Sequence, residues 1–155
     1  MEIYNPSGKK LGLCLQSIGL EWKQSGVSMK LGYTLFYVGD VEKTMNFYSS
    51  AFGLEKGFFH DSKQYGEMLT GETKIGFVHH ETAESHGFEY VNSQPKSKPF
   101  GFEIGFVTTE VEAAFKKAVK AGAESICAPK TKPWGQVVSY VRDCNGFLVE
   151  ICSPM

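Results

Sequence analysis

The stretch Tyr33-Thr-Leu-Phe-Tyr-Val38, followed by Asp40 to Phe52 and then Gly53, reads as a strand, a helix and the left-handed turn that ends it. The same order returns at Phe102-Glu-Ile-Gly-Phe-Val107, Thr109 to Ala121 and Gly122. The differences 102 minus 33, 109 minus 40 and 122 minus 53 all equal 69, so the chain holds two copies of one supersecondary unit. Asp40 and Thr109 place a side-chain acceptor at each helix start, and Thr109 with Glu112 has capping-box spacing. Apolar residues recur at helical period on one face, Val41, Met45, Tyr48 and Phe52 in the first helix and Val111, Phe115, Ala118 and Val119 in the second.

Three strand-like runs follow each helix. They are Glu55 to His60, Gln64 to Thr70 and Thr73 to His80 in the first copy, and Glu124 to Ala128, Gln136 to Arg142 and Phe147 to Cys152 in the second. The pattern is βαβββ twice, an α+β chain. Polar residues and two prolines make 81–99 a loop between the copies, and Asp143-Cys-Asn-Gly146 a tight turn whose Asn-Gly supplies positive φ angles. The predicted domain is 29–155, with modules at about 29–94 and 95–155; residues 1–28 have no counterpart in the second copy and are expected to be an extension.

The 155 residues carry 16 basic and 17 acidic side chains, a net charge of -1, which lacks the basic footprint that nucleic acid requires. Arg142 is the only arginine, so no set of guanidinium forks exists to clamp a multiply charged anion. Cys14, Cys127, Cys144 and Cys152 form no Cys-x-x-Cys pair and read as reduced thiols of a cytoplasmic protein. Lys9 and Lys10 before the apolar Leu11 to Leu20 are loosely similar to a signal peptide, but Gln16 and Ser17 interrupt that stretch and no small-x-small cleavage site follows. No apolar run reaches the roughly 18 residues of a membrane helix, so neither nucleic acid nor membrane is an expected partner.

Tyr37-Val-Gly-Asp-Val41, Phe47-Tyr48 and Phe52-Gly-Leu54 in the first half, with Lys132-Pro-Trp-Gly-Gln136, Tyr140-Val-Arg-Asp143, Asn145-Gly-Phe147 and Val149-Glu-Ile151 in the second, resemble the vicinal oxygen chelate superfamily. That superfamily includes glyoxalase I, the bleomycin-resistance proteins and the extradiol dioxygenases. The resemblance implies two βαβββ modules forming an incomplete eight-stranded barrel with helices outside, a ligand in the concave cleft, and a homodimer. Its metal-dependent members use a histidine in the first strand of each module and a glutamate in the last strand of each. Carried over, those positions are Tyr33, Gly76, Phe102 and Glu150, of which Glu150 alone is an ordinary ligand. No cofactor is therefore expected.

Strand alternation adds candidates for the cleft. Tyr33, Leu35 and Tyr37 face inward in the first strand, and Phe102, Ile104 and Phe106 are expected to do so in its counterpart. Tyr33, Tyr37, Phe102 and Phe106, with Trp134, Gln136, Tyr140 and Glu150, either line a site for a small, partly aromatic molecule or meet as ordinary core. Glu150 then needs a lysine, a tyrosine hydroxyl, water or a cationic ligand as partner, or it is an exposed strand residue. No nucleophile and base stand at a recognisable spacing. The expectation is a small-molecule-binding protein without the usual metal site. The alternatives are a lactoylglutathione lyase-type enzyme or isomerase with a divalent metal on Glu150, His80 and Glu67, and a purely structural dimerisation domain.

Overall fold

Phe36 and Val38 are buried while Tyr33 and Leu35 are exposed, the alternation that makes Tyr33–Val38 a one-faced strand, β1. Asp40 ends it and caps α1 (Val41–Phe52): its side chain accepts from the Lys43 N–H at 2.8 Å, and Gly53 closes the helix in the left-handed region at φ 74. β2 (Glu55–Phe59), β3 (Tyr65–Thr70) and β4 (Thr73–His79) complete the first module. A short helix, α2 (His80–Glu84), lies where the sequence suggested loop; the His79 ring accepts from the Glu81 N–H at its start. β5 (Glu103–Val107), α3 (Val111–Lys120), β6 (Glu124–Thr131), β7 (Val137–Arg142) and β8 (Leu148–Cys152) form the second module.

This computed structural model describes residues 29–155, of which Leu31–Met155 form one unit; the expected 1–28 extension and Cys14 lie outside the described residues. Each module builds one four-stranded mixed sheet, in the orders β1-β4-β3-β2 and β5-β8-β7-β6, with the first-listed pair parallel, and no closed barrel results. No helix among the described residues is long and apolar enough to cross a membrane.

Both sheets turn one face into a shared core, Phe36, Met68 and Phe77 from the first and Val141, Val149 and Ile151 from the second, with Tyr48, Ala51 and Ala118 of the helices. Rings knit the modules together. Phe36 meets Phe147 edge-on at 4.8 Å and Phe52 lies 5.0 Å from Phe106, pairs of a kind worth about 0.5–1.5 kcal/mol beyond their area.

Two sequence expectations fail for local reasons. Thr109 does not cap α3. The helix starts after Glu110, which makes no side-chain cap bond, and Thr108 Oγ1 instead accepts from the Glu110 N–H. In the turn after β7, Gly146 alone takes positive φ, at 93, because Asp143 Oδ1 accepts from both the Asn145 and Phe147 N–H groups and holds the loop.

The third correction matters most. In register, Leu35 stands beside Gly76 and Gly105 beside Glu150, so Leu35 and Gly105 are equivalent, and 105 minus 35 is 70 rather than 69. The helix starts agree, since 111 minus 41 is also 70. A one-residue slip turns every side chain of a strand over. Ile104 and Phe106 therefore pack on the core, and Glu103, Gly105 and Val107 are the exposed face of β5.

Candidate functional site

Opposite its core face, the first sheet carries Leu35, Gly76 and Glu67 in one row across three strands, and Tyr33, Lys74 and Leu69 in the next. Glu67 is saturated. Lys74 Nζ reaches Oε2 at 2.7 Å, Tyr65 Oη donates to Oε1 at 2.8 Å, and the lysine contact comes first among the causes that lower the carboxyl pKa. Burial, and then the bond to Glu67, push the Tyr65 phenol up to about 12. Gly76 has no room for a side chain unless Leu35 moves: a Cβ there would meet Leu35 Cδ2 at 2.6 Å and Tyr65 Oη at 3.3 Å.

The matching face of the second sheet carries Gly105, Glu150, Tyr140 and Cys127 in one row and Glu103, Leu148 and Arg142 in the next. Tyr140 Oη donates to Glu150 Oε2 at 2.8 Å, the tyrosine partner that the sequence left open among others. That bond, then burial, push the phenol up to about 12, and Lys132 Nζ hangs 5.9 Å over the ring. Burial, and then the adjoining Glu150 carboxylate, raise the Glu103 carboxyl above its ordinary value. The Cys152 thiol rises to about 11, mainly through burial. These phenols and this thiol stay protonated near neutrality, so the face offers oriented donors and acceptors rather than an activated nucleophile.

The structure divides the other candidates. Tyr33 stands on the first face and Glu150 with Tyr140 on the second; among the described residues no hydrogen bond, ion pair or ring contact joins these groups. Tyr37 packs on Phe88 and Tyr90, and Phe102 on Phe36, beside a groove along β1. Phe106 belongs to the core. Trp134 is 65% exposed, its Nε1 donating to Gln136 Oε1, while Gln136 Nε2 donates to Ser153 O and ties the β6–β7 hairpin to the end of the chain.

His80 is a helix residue rather than an inward strand residue, bonded through Nδ1 to Tyr90 Oη at 2.8 Å. Glu150, His80 and Glu67, the alternative metal set, thus each engage a different partner. Arg142 is buried and spends its guanidinium on the carbonyls of Gly146 and Gln94. Sequence reading missed Glu103, because anchoring the repeat on Gly53 and Gly122 hid the extra residue between the strand starts.

The family model described as the Glyoxalase/Bleomycin resistance protein/Dioxygenase superfamily matches residues 30–151. The chain belongs to this superfamily. The protein YraH of Bacillus subtilis (strain 168) is 29% identical over 127 residues that cover 79% of this chain and 97% of YraH. A glyoxalase-related enzyme from Fulvimarina pelagi superposes with a TM-score of 0.70 at 20% identity, covering 82% of this chain and 89% of that one. TioX from Micromonospora sp. ML1 gives 0.63 at 18% identity, covering 82% and 100%. These two structures share the fold.

With the corrected register, the four positions that the resemblance implies become Tyr33, Gly76, Glu103 and Glu150. They do not fit the metal of its metal-dependent members. There is no imidazole, Leu35 occupies the space above Gly76, and the two carboxylates stand together on one sheet. Among the described residues no three histidine, cysteine, aspartate or glutamate side chains converge as a metal set.

Proposed function

We propose that this chain is a small-molecule-binding protein that takes a partly aromatic, neutral or cationic ligand on its open sheet faces and does so without a metal. The observation that carries the reading is the group of Glu103, Glu150 and Tyr140 on the open face of the second sheet, where the Tyr140 hydroxyl donates to Glu150 beside apolar surface. Such a group accepts hydrogen bonds from an amine or amide and repels an anion. Tyr33, Leu35 and Val107, all exposed, add the apolar area on which a ring would rest. A homodimer would cover part of this surface and set the first face of one copy opposite the second face of the other.

The lyase-type alternative draws on the same correction, since Glu103 adds a second carboxylate at a ligand position of the superfamily. One experiment separates the readings: melting of the full chain against uncharged, cationic and anionic aromatic compounds, repeated with Glu150→Gln and Tyr140→Phe. Stabilisation by uncharged or cationic compounds, reduced in both variants, supports binding. No shift with any compound, or stabilisation only when a divalent metal is added, overturns it.

A further inference from the structure

We propose that a groove along the outer edge of β1 is a second binding site, separate from the sheet faces, for a small, flat, uncharged heterocycle bearing an N–H donor and a C=O acceptor on one edge. Among the described residues β1 ends its sheet, next to β4 only. The Lys74 N–H bonds to Gly32 O, which fixes the alternation of the strand's peptide groups. The N–H and C=O of Leu35 and Tyr37 therefore point away from β4, and no described residue pairs with them. Four successive residues, Thr34 to Tyr37, line the groove; side chains alternate between faces, so only the backbone edge brings all four to one surface.

The rest of the lining is mostly aromatic, Tyr90, Phe100, Phe102 and Phe147, with Val91 and Ser93 beside them. Two of these rings are fixed from behind. Tyr90 is held by its bond to His80, and Phe147 by the edge-on contact with Phe36. Phe102 remains 51% exposed, an apolar ring beside a strand edge that no described residue pairs with. No residue that lines the groove carries a formal charge, so neither an anion nor a cation finds a counter-ion there. The space is about 250 Å³, room for one or two fused rings. A ring of that size stacks on the aromatic wall while its polar edge pairs with the strand as a neighbouring strand would.

The test uses the full chain with isoquinolin-1(2H)-one, a two-ring lactam, and its N-methyl derivative, followed by calorimetry and amide shift mapping. The lactam is expected to saturate the protein and to shift the Leu35 and Tyr37 amides. The N-methyl compound is expected to bind about tenfold more weakly, the worth of one hydrogen bond. Phe102→Glu and Val91→Lys, both at exposed positions, each weaken the lactam by a similar factor with unchanged circular dichroism. Equal affinity of the two compounds, shifts confined to the sheet faces, or no saturable binding would overturn the site. Each result is independent of whether Glu150→Gln alters binding on the sheet face.

Discussion

The hydroxyl of Tyr48 donates to Asp143 Oδ2 at 3.0 Å, with the phenol wholly buried and the carboxyl nearly so. Tyr48 belongs to α1 of the first module and Asp143 to the turn after β7 of the second, so one hydrogen bond pins the two copies of the repeat together. Asn145 Nδ2 adds a second tie, to Thr44 Oγ1 of the same helix. Removing the hydroxyl leaves the ring in place and the carboxylate short of a donor. Tyr48→Phe is expected to lower stability by about 1–3 kcal/mol, measured as a lower urea midpoint with an unchanged slope. An unchanged midpoint would show that the bond does not join the modules.

Burial raises the Asp143 carboxyl above its ordinary value of about 3.9 despite the donors around it. The folded chain therefore binds this proton more tightly than the unfolded chain. The group's contribution is most favourable below the ordinary value and is lost as pH rises toward the raised one. Relative to Asp143→Asn, which does not titrate, the natural chain should lose stability as pH rises above the ordinary carboxylate range of about 4. Urea titrations of both proteins across that rise check the slope, and a difference that grows in the natural chain's favour would contradict it.

Gly66 is where α1 rests on β3. A Cβ there would run into Met45 Sδ and stand 3.1 Å from Val41 Cγ1 and 3.2 Å from Phe59 Cδ2. Those side chains are packed on the core and have little room to retreat. Gly66→Ala is expected to cost about 1–3 kcal/mol by overpacking, and a second change, Met45→Ala, to cost less in that background than alone. Thermal unfolding of the four proteins measures the coupling; strictly additive losses would place the helix elsewhere.

The facing of β5 makes a sharper pair. Phe106 packs on Phe52, whereas Val107 is 65% exposed. Phe106→Ala should cost about 2–4 kcal/mol, and Val107→Ala within about 0.5 kcal/mol of nothing. The reverse ranking would restore the inward face of Phe102, Ile104 and Phe106 that the repeat suggests.

Much of this architecture is written locally. The β1 alternation, Asp40 at the start of α1, Gly53 at its end and the three strands after each long helix all follow from spacing and cap chemistry, and the motifs from Tyr37 to Val41 and from Val149 to Ile151 lead to the superfamily. What escapes is set between distant segments. Whether Glu103 or Phe102 faces out depends on which β8 residue stands beside it, and the two aromatic-led strands look alike at either offset. The bond from Tyr48 to Asp143 spans 95 positions and has no local signature. His80 looks like the last residue of a strand until the His79 ring starts a helix there. Tyr37 and Phe102, expected on the inward faces of their strands, both line the groove along the edge of β1.

Metal binding decides the account. Titration of the full chain with zinc, nickel and manganese, joined to a methylglyoxal and glutathione turnover assay, is predicted to give no stoichiometric ion and no product. One tightly held ion per chain, with turnover abolished by Glu103→Gln or Glu150→Gln, would contradict it.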